Sequence, residues 1–120
     1  MRKIILYSYL KCSTCRKAAK WLKSKDLEFQ LIDIVKEPPI ADYLNLALEQ
    51  YTDDKKRIFN TRGKAFEALN LDINNLSREE IIQLLLGDGK LIKRPFLIYE
   101  EEKVILGFNE IEYAKQFILA

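Results

Sequence analysis

The chain has 120 residues, of which 48% are hydrophobic and 32% are charged. This composition indicates a globular protein and excludes a disordered chain, and the length predicts a single domain over residues 1–120. The 20 basic and 18 acidic residues leave a net charge of +2, which is too small to favour direct nucleic-acid binding. No apolar run is long enough to span a membrane and no signal peptide is recognisable, so we expect a cytoplasmic protein.

The first third of the sequence predicts a β-strand, a helix and a second β-strand. Lys3–Ser8 contains four consecutive apolar residues, which is typical of a strand buried on both faces. Arg16–Lys25 has the spacing of an amphipathic helix, and Glu28–Ile34 has the composition of a strand. This order predicts two parallel strands joined by a right-handed crossover.

The middle of the chain, from about residue 39 to residue 90, is predicted to be a helical insert. Pro38-Pro39 ends the second strand and can open a helix. Ser77 and Glu80 have the spacing of a capping box, whereas the charged stretch Thr52–Arg57 is interpreted as a solvated helix end. Three helices are predicted in the insert: Ile40–Tyr51, Lys64–Asn70 and Arg78–Leu86.

The last third predicts an antiparallel hairpin followed by a helix. Two apolar runs, Phe96–Tyr99 and Lys103–Gly107, are separated by a short acidic turn. Asn109 and Glu112 have the spacing of a helix N-cap. The apolar face of the final helix is predicted to consist of Ile111, Ala114, Phe117 and Ile118.

The only two cysteines, Cys12 and Cys15, lie where the first strand leads into the first helix. A helix start offers unpaired N–H groups and a partial positive charge, which favour a reactive thiolate. Lys11, Arg16 and Lys17 add positive charge there. We therefore predict that Cys12 is the attacking thiolate and that Cys15, one helical turn on, resolves the intermediate as a disulfide.

Two other roles for the cysteines stay open at this point. Cys15 shares a helical stripe with Ala18 and Leu22, so the cysteines could be inert buried side chains. Zinc needs more soft or imidazole ligands than two cysteines in a chain without histidine, so only an intermolecular metal site could be completed. The C-x-x-C spacing beside a βαβ pattern favours a redox role and no metal.

Five short motifs, taken in their order along the chain, resemble the family that joins glutaredoxin-linked arsenate reductases (ArsC) with the Spx and MgsR redox regulators. They are the Cys12–Cys15 turn, Pro38-Pro39, Asn60-Thr61-Arg62, Lys93-Arg94-Pro95 and Gly107-Phe108-Asn109-Glu110. The resemblance implies an α/β, thioredoxin-like fold. Its mixed four-stranded sheet would combine a βαβ and a ββα unit, with the helical insert between the second and third strands. It also implies a cis peptide bond before Pro95, facing Cys12.

The resemblance implies roles for individual residues as well. Arsenate reductases of this type use one cysteine nucleophile and three arginines, because guanidinium groups match oxyanion geometry and stabilise a thiolate. Cys12 matches the nucleophile, Arg62 and Arg94 match two of the arginines, and Gly107 stands in the place of the third. Glutathione, glutaredoxin or thioredoxin is the implied reductant, and no bound cofactor is implied.

Two functions, and a third possibility without either activity, follow from the resemblance. The first is a thiol-dependent oxidoreductase acting on an oxyanion or a disulfide. The second is a redox-switched regulator that binds the carboxy-terminal domain of the α chain of RNA polymerase, although Asp54 lies near the position where Spx uses a glycine. A thioredoxin-fold relic with neither activity is the third. A monomer is expected, since packing both faces of a small sheet leaves no helix face over.

Overall fold

A computed structural model describes residues 3–119. The helices and strands of this part of the chain are β1 (Ile4–Ser8), α1 (Ser13–Ser24), β2 (Gln30–Asp33), α2 (Ala41–Gln50), α3 (Lys64–Leu69), α4 (Arg78–Gly87), β3 (Phe96–Tyr99), β4 (Lys103–Leu106) and α5 (Glu110–Phe117). Short 3₁₀ helices cover Lys55–Ile58, Ile73–Asn75 and Gly89–Leu91. Within residues 3–119, no helix has both the length and the apolar character needed to cross a membrane.

The four strands form one mixed sheet in the order β2-β1-β3-β4. β1 pairs with β2 in parallel and with β3 antiparallel, and β3 pairs antiparallel with β4. Tyr7 of β1 is opposite Ile32 on one side and Phe96 on the other. The predicted mixed four-stranded sheet, with helices inserted between its second and third strands, is therefore confirmed.

The sheet is buried between two layers of helices. Ile4 and Leu6 of β1 belong to the core that contains Trp21 of α1 and Tyr113 of α5. The alternate residues of β1 face the opposite core, built with the helical insert. Burying each large apolar side chain contributes about 1.5–3 kcal/mol, so β1 is firmly held along its length. The turn that follows β1 consequently starts from a fixed position.

The first and the last helix test two predictions. Helix α1 begins at Ser13 with Cys12 as its N-cap, so the helix start predicted at the cysteines is confirmed, and Arg16–Lys25 continues a helix that has already begun. The predicted apolar face of α5 is partly wrong: Ile111 is 69% exposed and Ile118, beyond the helix end, is 50% exposed. The buried face is formed by aromatic residues four positions apart, Tyr113 and Phe117, which fill the core and turn Ile111 outward.

Two predicted helix caps are confirmed. The backbone N–H of Glu80 donates to Ser77 Oγ at 3.1 Å, and the backbone N–H of Ser77 donates to Glu80 Oε1 at 3.0 Å. At the start of α5, the N–H of Glu112 donates to Asn109 Oδ1 at 3.0 Å. Such caps satisfy backbone donors that a helix start leaves unpaired.

Candidate functional site

Cys12 lies at the N-cap of α1, in the turn that follows β1. Its backbone N–H donates to the carbonyl oxygen of Tyr9 at 3.0 Å, which closes the turn. Its Sγ accepts the backbone N–H of Cys15 at 3.2 Å. A helix start carries a partial positive charge, and the first turn of α1 has no acidic residue to oppose it. The half-buried sulfur of Cys12 therefore has surroundings suited to a nucleophile.

Cys15 is fully buried in the first turn of α1. Burial, and secondly a hydrogen bond with the side chain of Cys12, raise the pKa of the Cys15 thiol to about 12. Both cysteines are free thiols in the structure. The two neighbouring cysteines therefore have different surroundings. Cys12 is accessible to solvent, whereas Cys15 is buried and stays protonated.

Arg94 and Pro95 lie beside the cysteine turn. The Arg94–Pro95 peptide bond is cis. The guanidinium carbon of Arg94 lies 4.7 Å from the ring centroid of Tyr9, within the range of a cation–π contact. Its Nη1 is buried without a hydrogen-bond partner among the described residues. Such an unpaired N–H is costly unless a ligand or water accepts it, so Arg94 is a candidate ligand-binding group.

Arg62 is exposed in the turn before α3. Its neighbour Thr61 lines the same cavity as Arg94. A role of Arg62 in binding an oxyanion stays a prediction.

Lys11 and Arg16 flank the cysteine turn on its exposed side. Lys11 is exposed to solvent, whereas Arg16 Nη1 donates to the carbonyl oxygen of Leu10 at 2.7 Å. Arg16 thus ties the turn to α1 and also adds positive charge near Cys12.

A cavity of about 670 Å³ lies at this end of the sheet, and Thr14 of the first turn of α1 forms part of its wall, whereas Cys12 and Cys15 do not line it. The charged residues of its wall are Lys56, Arg57, Lys93, Arg94, Asp54 and Glu112. Four cations and two carboxylates leave an excess of two positive charges. None of these cations forms an ion pair within 4.0 Å with a described carboxylate. We call this space, defined by those six charged residues, the cationic cavity.

Two chain segments that are distant in sequence meet to form the cationic cavity. Lys93 N–H donates to the carbonyl oxygen of Ile58 at 2.8 Å, and Phe59 forms an antiparallel bridge with Ile92. This pairing places Arg57, just before Ile58, in the same wall as Lys93. Arg57 is further positioned by the Tyr51 ring, whose centroid lies 4.5 Å from the guanidinium carbon.

From the sequence, Thr52–Arg57 was interpreted as a solvated helix end. That interpretation missed the contribution of this stretch to the wall of the cationic cavity. The stretch does contain a 3₁₀ helix, Lys55–Ile58, but Lys56 and Arg57 also line the cationic cavity. The run of three basic residues there was the one available signal. No local pattern shows that this run pairs with the segment before Pro95.

Gly107 closes the cationic cavity at the end of β4. Its φ of +74° is in the left-handed region, which favours glycine over other residues. The Gly107 N–H donates to the carbonyl oxygen of Pro95 at 2.9 Å, which joins β4 to the cis-proline segment. A Cβ at position 107 would lie 3.5 Å from Lys93 Cε, so the Lys93 side chain covers the space beside the glycine.

Comparisons with known proteins agree on one family. The model of the ArsC family matches residues 7–116. The uncharacterized protein YusI of Bacillus subtilis (strain 168) is 40% identical over 116 residues, covering 95% of this chain and 98% of YusI. The global transcriptional regulator Spx of Lactiplantibacillus plantarum is 36% identical over 109 residues, covering 91% of this chain and 82% of Spx.

A solved structure gives the same result. A protein of Streptococcus mutans UA159, described as a possible arsenate reductase, is 38% identical with a TM-score of 0.86, covering 95% of this chain and 98% of that protein. The family match includes both cysteines, the helical insert and the Arg94–Pro95 pair. The resemblance drawn from the sequence motifs is thereby confirmed, and this chain belongs to the ArsC family.

Proposed function

We propose that this protein is a thiol-dependent oxidoreductase whose Cys12 and Cys15 exchange with a substrate disulfide. The observation that carries the proposal is the hydrogen bond of 3.2 Å from the Cys15 N–H to Cys12 Sγ, with the Cys15 thiol buried directly behind that sulfur. One sulfur is reachable and the other is protected, which is the division of roles that disulfide exchange requires.

The proposed reaction has two steps. The thiolate of Cys12 attacks one sulfur of a disulfide R–S–S–R′, forms a bond to the R-bearing sulfur and releases R′ as a thiolate. Cys15 then gives its proton to the released thiolate and attacks Cys12 Sγ. The mixed disulfide breaks, RS⁻ leaves, and a Cys12–Cys15 disulfide remains. Two electrons have passed from the cysteine pair to the substrate.

A second thiol system must return the cysteine pair to the dithiol form. Two molecules of glutathione, or one dithiol of glutaredoxin or thioredoxin, would supply two electrons and two protons in this role. No bound cofactor takes part in this scheme. Reduction of an oxyanion such as arsenate is the less supported form of the activity, because Gly107 stands in the place of the third oxyanion-binding arginine of the enzymes that the chain resembles.

The test is a coupled assay that measures NADPH consumption above the rate without the protein, with glutathione and glutathione reductase; glutaredoxin is added only with arsenate, because it reduces glutathione mixed disulfides by itself. A glutathione mixed disulfide and arsenate would be offered separately to the wild type, Cys12→Ser and Cys15→Ser. We expect turnover of the mixed disulfide that disappears in Cys12→Ser, and a trapped mixed disulfide on Cys15→Ser detectable by mass spectrometry. Full turnover by Cys12→Ser would refute Cys12 as the nucleophile, and turnover of arsenate alone would replace disulfide exchange by oxyanion reduction.

A redox-switched regulator is the second candidate, and the similarity to Spx over 91% of this chain favours it. In this case the Cys12–Cys15 disulfide would alter a surface that binds the carboxy-terminal domain of the α chain of RNA polymerase. Pull-downs with that domain, using the oxidised and the reduced protein, separate the two functions. Retention of the domain only by the oxidised form would support the regulator, and absence of binding in both forms would eliminate it.

A further inference from the structure

We propose that Ser8 is a positioning residue for the second step of disulfide exchange: its hydroxyl donates to the thiolate of Cys15 while that thiolate attacks Cys12 Sγ. The inference deepens the proposed function and rests on it, because it names the residue that lets the buried thiol react. The covalent steps and the destination of the Cys15 proton are those of the proposed reaction.

The buried position of Cys15 opposes its own step. Cys15 must lose its proton before its sulfur can attack, and a buried charge without hydrogen-bond donors is costly. Burial is the largest cause that raises the pKa of the Cys15 thiol to about 12. The groups that donate to the sulfur therefore control how much of Cys15 is ready to attack.

Ser8 and Cys15 line one cavity of about 320 Å³, which shares no lining residue with the cationic cavity. Ser8 is the last residue of β1. Ile4 and Leu6, at alternate positions of the strand, belong to the core that α1 helps to form, so the Ser8 side chain lies on the α1 side of the sheet. This position brings the hydroxyl to the first turn of α1, where Cys15 is buried.

The donors to Cys15 come from the residues just before the cysteine turn. Against the effect of burial, the backbone of Tyr9 and then the side chain of Ser8 form hydrogen bonds that lower the pKa of the Cys15 thiol. The other causes that raise this pKa are a hydrogen bond with Cys12 and the charge of Cys12. A mixed disulfide on Cys12 carries neither a thiol proton nor a charge, so both are lost when the second step begins. Ser8 and the Tyr9 backbone then stabilise the attacking thiolate.

Three other titratable side chains face Cys15 or its cavity. Asp33 of β2 and Arg16 of α1 line the cavity, and Tyr113 of α5 is close enough for the charge of Cys15 to affect its pKa. Each of them has another partner: the Asp33 carboxylate accepts two backbone N–H groups, and Arg16 and Tyr113 each donate to a backbone carbonyl. Ser8 is therefore the side chain that is placed to donate to the Cys15 thiolate.

The experiment uses dithiodipyridine, which releases one thiopyridone in each step. Attack by Cys12 gives the first release, whose rate depends on the disulfide concentration, and attack by Cys15 gives the second, which is first order. Stopped-flow absorbance under single-turnover conditions would compare the wild type with Ser8→Ala and Ser8→Thr. Ser24→Ala is the matched control, because it removes a serine hydroxyl at the other end of α1, where it donates to the carbonyl of Trp21.

We expect Ser8→Ala to slow the second release about threefold at neutral pH and to leave the first release unchanged. Loss of a hydrogen bond to a charged sulfur lowers the thiolate population about tenfold, whereas the less stabilised thiolate is about threefold more nucleophilic. Ser24→Ala should match the wild type in both steps.

Two further readouts distinguish stabilisation of the thiolate from a structural role of Ser8. Ser8→Thr should restore the second rate, since it keeps the hydroxyl and its methyl group can occupy the cavity. The second rate should rise with pH from about 7 to about 9 in every variant, because burial keeps the pKa of Cys15 above this range. A second rate in Ser8→Ala equal to that of the wild type, or no rescue by Ser8→Thr, would overturn the inference.

A titration separates failure of this inference from failure of the proposed function. In Cys12→Ser the only thiol is Cys15, and the chemical shift of its carbon-13-labelled Cβ reports its ionisation without any reaction. Adding Ser8→Ala should raise the pKa of Cys15, so that less thiolate is present at about pH 10. If the wild type releases neither thiopyridone, the proposed function fails while this titration still decides whether the hydroxyl stabilises the thiolate. Equal titration curves overturn the inference alone.

Discussion

The unequal environments of the two cysteines predict that only Cys12 is alkylated in the native protein. Burial is the largest cause that raises the pKa of Cys15, from its ordinary value of 9.0 to about 12. At neutral pH the Cys15 side chain is therefore held in the thiol form, and much less of it is thiolate than of an ordinary cysteine. Steric protection adds to the effect, because no part of the Cys15 side chain is exposed.

The assay is iodoacetamide labelling at neutral pH, followed by mass spectrometry of the intact protein and its peptides. The wild type should take one label, on Cys12, and should take a second only in urea. Cys15→Ser should behave like the wild type at Cys12. Cys12→Ser should remain unlabelled until it unfolds, although this substitution also removes the smaller, hydrogen-bonding cause of the raised pKa of Cys15.

Burial remains in Cys12→Ser, so we expect labelling of its Cys15 to be at least about a hundredfold slower in the native state than in urea. A native rate within a few-fold of the unfolded rate would show that Cys15 is accessible and ionised. That result would refute the division into an attacking and a protected thiol, and the proposed order of the two steps would then fail as well.

The remaining predictions concern stability, measured by urea unfolding. Gly89→Ala should destabilise the protein by about 1–3 kcal/mol, because its Cβ would collide with the backbone of Ile34 and Val35. Gly87→Ala is the matched control. Apart from its chain neighbours and the backbone of its own helix, no atom of residues 3–119 lies within 4 Å of a Cβ at this position, so stabilisation of about 0.5–1 kcal/mol is expected. An equal loss of stability in both variants would contradict the packing argument. Stability should also fall as the pH rises from about 9 to about 12, because burial raises the pKa of Cys15 and of Tyr7 to about 12 and the unfolded chain loses these protons first. The free energy of unfolding should fall by at most about 1.4 kcal/mol per pH unit for each group, and the fall should be smaller in Cys15→Ala. A free energy of unfolding that stays constant over this pH range would show that these side chains are not protected from solvent.

Elements that depend on local chemistry could be predicted from the sequence. The continuous apolar run of β1 indicates burial on both faces, and the structure buries Ile4 to Tyr7 completely or almost completely. The capping box of Ser77 and Glu80 involves side chains only three residues apart, so its hydrogen bonds follow from spacing alone. The same holds for Cys12, whose position before an amphipathic stretch predicts an N-cap.

Features that depend on tertiary packing could not be predicted in this way. Ile111 has the helical spacing of a core residue, but Tyr113 packs edge-on against Trp21 with ring centroids 5.6 Å apart and takes the inward position. Both Ile111 and Tyr113 are apolar enough for the core. The shape of the space between α1 and α5 determines which of the two side chains is buried. Arg57 is a similar case, because Lys93 and Arg94, which line the same cavity, lie more than thirty positions away along the chain.

The cysteine turn and the charge of the cationic cavity are built by different segments of the chain. Cys12 is positioned by β1 and the start of α1, and β1 in turn packs against the helical insert through Ile5 and Tyr7. Lys56 and Arg57 come from the insert, and the bridge from Phe59 to Ile92 holds them against the segment before Pro95. Substitutions at Lys56 or Arg57 would therefore change the charge of the cationic cavity, whereas the proposed thiol chemistry depends on the burial of β1 and on the cap at the start of α1.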